Sequence, residues 1–216
     1  MELLELIRTL YGVEPEGCTD DEIEYVRNLF GALPEAVETF WRSAGRTERL
    51  HFVQDNWAFP ANYRKWKSYR ESEDLILLME NQGCCRAVIR REDLALPAPP
   101  VYTLPAHGPG ARTAETVSEF LEAALLYQAV WQFDYSPDEF YWLSDEELET
   151  VREKLEKRDA VLRGWMEMDI TFYSNRPDNL LVIMDVGGQY QALYGGASEA
   201  AYKALLEVMD GLGEPL

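Results

Sequence analysis

Along the N-terminal segment the apolar positions return every three to four residues. Leu3, Leu6, Ile7 and Leu10 predict a short helix over 2–11. Thr19-Asp20-Asp21-Glu22 has the form of a capping box, in which a hydroxyl and a carboxylate satisfy the free amides of a first turn. It opens a second helix carrying Ile23, Val26, Leu29 and Phe30, which Gly31 stops. Leu33-Pro34 starts a third, because proline suits a first helical turn. Val37, Phe40 and Trp41 lie on one side of it, and it ends near Gly45.

The period then changes to two. His51, Val53 and Asp55 alternate with Phe52, Gln54 and Asn56, which predicts a strand within 50–59 leading into Trp57. Two apolar runs, 74–80 and 84–91, flank the polar Glu80-Asn81-Gln82-Gly83 and read as a strand, a tight reversal and a strand. Residues 97–111 hold five prolines and two glycines, so a strand end followed by an irregular connection is expected there.

In the second half, Thr113 or Thr116 caps a helix running to about Trp131, with Val117, Phe120, Leu121, Ala124, Leu125 and Gln128 on successive turns. Ser144-Asp145-Glu146-Glu147 is another capping box, opening a helix that takes in Leu148, Val151, Leu155 and extends toward Leu162. Strands follow over 168–174 and 179–186. Gly187-Gly188 then turns the chain into a returning strand, 189–194. Gly195-Gly196 breaks it, and a final helix carries Ala200, Ala201, Leu205 and Val208. Strands joined by tight turns pair antiparallel, and helices and strands come in separate runs. An α+β domain over 1–216 is expected, with helices packed on one face of an antiparallel sheet. The 97–111 segment is the one candidate boundary.

Charge alters this picture more than composition does. The 216 residues carry 20 Lys and Arg against 39 Asp and Glu, a formal net charge of −19. Such a chain repels nucleic acid and anionic lipid at long range and is drawn to a basic partner. The basic and aromatic run Asn62–Arg70 could stack on single-stranded nucleic acid, but in this global field its cations are expected to pair with nearby carboxylates. No window approaches eighteen apolar residues, and the acidic N-terminus lacks the basic region of a signal peptide. Cys18, Cys84 and Cys85 form no C-x-x-C, and adjacent strand residues face opposite ways, so Cys84 and Cys85 are not expected to share a metal or a bridge. A cytoplasmic location fits these thiols. His51 and His107 form no metal-ligand spacing, and phosphate-binding glycine loops and nucleophile elbows are missing, so neither metal nor cofactor is expected.

Leu33-Pro34, Val37, Phe40-Trp41 and Gly45, then Trp57, then Glu80-Asn81-Gln82-Gly83 between its strands, then Asp93-Leu94 and Pro99-Pro100-Val101-Tyr102, together resemble the SMI1/KNR4 family, the SUKH superfamily. The resemblance spans about residues 20–104; Ala87 stands where the family usually carries an aromatic. It implies a curved antiparallel sheet with helices around it. It further implies a protein without an activity of its own: in bacteria an immunity protein that binds a toxin, often a nuclease, and in fungi a regulator of cell-wall signalling. Trp41, Gly45, Trp57, Glu80, Asn81, Gly83, Pro99, Pro100 and Tyr102 would then hold the fold.

Two acidic tracts are the candidate contact surfaces. Seven acids and no base lie between Asp134 and Glu149, interleaved with aromatics; Asp134, Asp138, Glu139, Tyr141 and Trp142 are the first candidates for partner contact. Six acids and no base lie between Glu14 and Glu24, of which Glu14, Glu16, Asp20, Asp21 and Glu24 are the second. Glu146 and Glu147 fit the first turn of a helix, where the dipole favours negative charge. The leading expectation is a protein-binding module that occludes a basic toxin. The alternatives are a regulatory scaffold acting on a host protein and an enzyme whose site would show as a deep carboxylate pair.

Overall fold

The computed structural model describes residues 3–51 and 53–216; Glu2 of the first expected helix and Phe52 of the expected strand lie outside them. Helix α1 (Leu3–Leu6) runs into a π-helical turn, Ile7–Tyr11, and is followed by α2 (Asp20–Phe30), α3 (Glu35–Ala44) and α4 (Glu48–His51). Strand β1 (Asn56–Trp57) precedes α5 (Pro60–Lys65) and α6 (Lys67–Arg70). Then come β2 (Leu75–Met79), β3 (Cys85–Ile89), β4 (Val101–Pro105) and β5 (Ala111–Ala114), completing a five-stranded sheet in the order β1-β2-β3-β4-β5. Helix α7 (Val117–Val130) crosses to the second half, which contains β6 (Tyr141–Leu143), α8 (Asp145–Lys154), β7 (Glu156–Trp165), β8 (Met168–Ser174), β9 (Asn179–Asp185), β10 (Tyr190–Gly196), α9 (Glu199–Met209) and β11 (Glu214–Pro215). Its six strands order as β11-β6-β10-β9-β8-β7. Neighbouring strands pair antiparallel in both sheets. The architecture is α+β, with two sheets where one was expected.

The caps explain where the helices begin. Glu22 accepts from the Thr19 N–H at 2.8 Å, Glu119 from the Thr116 N–H at 3.1 Å and Glu147 from the Ser144 N–H at 2.8 Å. Gly31 ends α2 in the left-handed conformation, φ 85°, which glycine adopts without a Cβ penalty. Helix α7 is buried nearly all round, as an apolar helix must be when elements pack on every side of it. It lies against α1 and α3 on one side and β7, β9 and β10 on the other.

Strand β9 shows why helices cover both faces of the second sheet. Leu180, Val182 and Met184 point into the main core with Phe172 and α7. Leu181 and Ile183 point the other way, into a smaller core with Leu148 and Val151 of α8 and Leu205 and Met209 of α9. Helices on a single face, as the sequence suggested, would leave that second apolar row in water.

Several local expectations are corrected. The strand over 50–59 reduces to β1, because 48–51 is helical and Asp55 turns inward. The 97–111 segment holds the expected strand end, β4, and an irregular stretch at 106–110, but that stretch turns into β5 of the same sheet and is no boundary. The helix expected to reach Leu162 stops at Lys154, and 156–165 is strand β7. Gly195 and Gly196 are the last two residues of β10, still paired with Leu180 and Asn179, so the strand ends just beyond where it was expected to. A Cβ at Gly195 would lie 2.8 Å from both the Phe133 ring and the Tyr135 carbonyl oxygen, so glycine there permits close packing.

Candidate functional site

The resemblance residues cluster in and around the first sheet. Trp41 and Trp57 are buried, and Trp57 packs on Phe40 with ring centroids 5.2 Å apart. Gly45 closes α3 where a Cβ would lie 2.6 Å from Cys18 Sγ. Pro99 is buried, Pro100 is half-buried, and Tyr102 lies between the guanidinium groups of Arg90 and Arg112, 4.3 and 5.8 Å from its ring. Glu80 organises the hairpin turn, accepting the N–H groups of Gln82 at 2.9 Å and Cys84 at 3.1 Å. Gly83, at φ 76°, supplies the backbone angle. Burial of Glu80 works against its charge, but the N–H groups of Cys84, Gln82 and Gly83 outweigh it and hold the carboxyl below its ordinary value. Glu80→Gln is expected to cost about 1–2 kcal/mol in a denaturant titration at pH 7. Because the folded group titrates low, its contribution is present above pH 4.5 and is lost on acidification, so the deficit should shrink toward pH 3. A deficit independent of pH would exclude the carboxylate's role in the turn.

Beneath this turn lies a polar node the sequence did not reveal. Asp55 is fully buried. Its Oδ2 accepts from Trp165 Nε1 and from Gln128 Nε2, each at 3.1 Å, and its Oδ1 accepts from the Asn81 N–H at 3.3 Å. The Asp55 N–H in turn donates to Gln128 Oε1 at 2.9 Å. Burial pushes the carboxyl up to about 6, against the pull of the Trp165, Gln128 and Asn81 donors. Asp55 and Glu80 are thus two nearby acids with opposed shifts, the pattern that would raise an enzymatic reading. Yet the donors facing Asp55 are protein groups, which is what a structural pin between α7, the β7–β8 hairpin and the first sheet requires.

The two acidic tracts behave differently. Four of the six acids between Glu14 and Glu24 meet an arginine: Glu14 with Arg8 at 3.0 Å, Glu22 with Arg46 at 3.0 Å, Asp20 with Arg42 and Glu24 with Arg27. Apart from the largely covered Glu22, these groups are partly or fully exposed and the pairs individually weak, but they cancel much of the local field. The expectation that Glu14, Asp20 and Glu24 present open charge is therefore corrected; Glu16 and Asp21 remain exposed without such a pair among the described residues. The arginines lie outside the tract: Arg8 in the π-helical turn, Arg27 further along α2, Arg42 on α3 and Arg46 in the turn after it.

In the second tract, Asp134 reaches Arg49 at 3.9 Å, whereas Asp138 and Glu139 are exposed with no ion pair among the described residues. Tyr141 is half-buried against Tyr194, centroids 5.8 Å apart, so it belongs as much to the small core as to the surface. Trp142, its neighbour on β6, points the other way and lines an open groove of about 610 Å³ with Leu143, Ser144, Glu146, Glu147, Thr150 and Glu214. Glu214 of β11 stands directly across from Trp142 in the register. Glu147 caps α8 and also accepts the Gly213 N–H at 2.8 Å, which anchors β11 beside the groove. Those contacts, from Ser144 first and Gly213 second, hold its carboxyl low. The groove therefore combines an indole with three carboxylates, and no Lys or Arg lines it. Sequence reasoning named Trp142 but missed Glu146 as a groove member, and Glu214, brought in by a two-residue strand, carried no signal.

Comparison of the chain with protein families, with curated proteins and with solved structures finds no match in any of the three. Among the described residues, no helix is long and apolar enough to cross a membrane, and no three His, Cys, Asp or Glu residues are placed to hold a metal ion.

Proposed function

We propose that this chain is a cytoplasmic protein-binding module of the SMI1/KNR4 kind, an immunity protein that inactivates a basic toxin by covering its substrate cleft. The observation that carries this reading is the groove beside Trp142, walled by Glu146, Glu147 and Glu214 and lined by no cation, on a chain of net charge −19. A half-buried indole beside carboxylates suits an arginine or lysine side chain, the ring by cation–π attraction and the acids by charge-assisted hydrogen bonds. The open carboxylates Asp138 and Glu139 extend the negative surface and would speed encounter at low salt. A toxin that grips phosphate with basic residues presents the complementary face.

The test is capture of toxin domains encoded beside this gene, over a salt series, with three variants. Trp142→Ala and the double reversal Glu146→Lys/Glu214→Lys are expected to weaken binding by roughly tenfold or more. Asp138→Lys/Glu139→Lys is expected to act mainly on the association rate. Binding indifferent to salt and to all of these reversals would overturn the acidic-groove mechanism.

A further inference from the structure

A second cavity, of about 520 Å³, lies where the start of β7 meets the end of β8, beside α7. Glu156, Lys157, Arg158 and Asp159 line it from β7, Ser174 from β8 and Glu122 from α7. The strand is irregular here. Lys157 pairs with Tyr173 and Val161 with Thr171, so β7 advances four residues while β8 advances two. Such a bulge interrupts the ladder and re-aims the side chains it carries. Arg158 stands in it.

Arg158 is half-buried, yet among the described residues no carboxylate pairs with its guanidinium and no acceptor bonds it. A desolvated charge is costly without a partner, and this chain has 39 acids from which to supply one. Two of them are near. Glu122 and Glu156 act on Arg158 through their fields, but no ion pair joins either to it among the described residues. Burial pulls the guanidinium below the ordinary arginine value, and those two fields offset it in part. Its Nε is sealed from solvent, so any contact falls to the two terminal nitrogens, which are not sealed. The other arginine of the cavity is already engaged, bonding from Arg176 Nε to Asp178 at 2.9 Å. Lys157 and Asp159 are exposed at the rim.

We propose that this cavity binds a small zwitterion of the α-amino acid class, its carboxylate on the terminal nitrogens of Arg158 and its ammonium on Glu122. The lining decides the charge pattern. Glu122, Glu156 and Asp159 would repel a simple anion, and Arg158 with Lys157 would repel a simple cation. A molecule carrying both signs a few bonds apart satisfies both. A planar guanidinium suits a carboxylate because two parallel N–H groups can donate to its two oxygens. Among the described residues these acids are not placed to hold a metal ion, so metal binding does not account for them.

The test is an NMR titration of the full chain with the neutral L-α-amino acids and glycine, each beside its N-acetylated and its amidated form. At least one free amino acid is expected to shift the amide signals of Lys157, Arg158, Asp159 and Ser174 saturably, with a Kd of about 1 mM or tighter. Either blocked form should bind roughly tenfold more weakly or worse, as each loses one of the two charged contacts. Arg158→Gln and Glu122→Gln should each weaken the free amino acid by a similar factor. Arg158→Gln should not lower the thermal midpoint, because it removes an unpaired, half-buried charge. Silent cavity signals across the whole panel would overturn the proposal. So would an N-acetylated form that binds as well as the free one, which would mean an adventitious anion at Arg158, or undiminished binding in either variant. The groove beside Trp142 takes no part in these readouts, so they stand apart from toxin capture.

Discussion

Asp55→Ala is expected to lower the free energy of unfolding by about 3–5 kcal/mol at pH 5, measured by chemical denaturation. The loss comes from what is left behind. The Trp165 and Gln128 side chains and the Asn81 N–H all point at a carboxyl group that is no longer there, in a site without water access. Asp55→Asn gives a separate, pH-dependent signature. The unfolded carboxyl ionises near 3.8 and the folded one near 6, so between those values the folded state holds more protons. The group's contribution is fully present below pH 3.8 and is lost as pH rises through 6. The size of that loss is about 3 kcal/mol, from a displacement of roughly two pH units. The stability of Asp55→Asn relative to the parent should therefore improve by about that amount between pH 4 and pH 7. Subtracting the parent curve removes the opposite contributions of Glu80, Glu147 and Asp178, which are held low and stabilise toward higher pH. A flat difference curve would show that Asp55 carries no such burden.

Gly17→Ala should be comparably damaging for a purely steric reason. A Cβ at Gly17 would sit 1.7 Å from the Arg42 carbonyl oxygen and 2.6 Å from its carbon, both backbone atoms of α3. The loop cannot move aside without breaking the bonds that fasten it, Cys18 N–H to Trp41 O and Arg46 N–H to Glu16 O, each 2.8 Å. A loss of about 3 kcal/mol or more is expected in thermal or denaturant melts. Gly31→Ala is the comparison: its Cβ would meet open space, and only the φ of 85° is penalised, at about 1–2 kcal/mol. If Gly17→Ala proved no worse than Gly31→Ala, the close approach of the 14–19 loop to α3 would be refuted.

What could be read along the chain was what depends on neighbours. The capping boxes at Thr19 and Ser144 start helices as their spacing requires, and the Gly187-Gly188 reversal joins two paired strands. Strand β7 was hidden because it opens with Glu156, Lys157, Arg158 and Asp159, so Leu162 looked like a further turn of α8. Strands β6 and β11, of three and two residues, are too short to show a period. The Asp55 node joins residues 73 and 110 positions apart, and nothing local marks Gln128 or Trp165 as its donors. The groove was half legible for the same reason: Trp142 and the α8 acids stand close in the chain, while Glu214 arrives only through β11.

The indole of Trp165 also fixes an order of events during synthesis. Asp55 leaves the ribosome well before Trp165 does, so the emerging N-terminal half lacks one of the donors its inward-facing carboxylate is built to meet. Until translation has passed the β7–β8 reversal, that carboxylate can meet only the donors of Asn81 and Gln128. A prematurely terminated product ending before residue 165 would lack the Trp165 donor to Asp55 and so carry an incompletely sealed core, the kind of intermediate that chaperones and proteases sort.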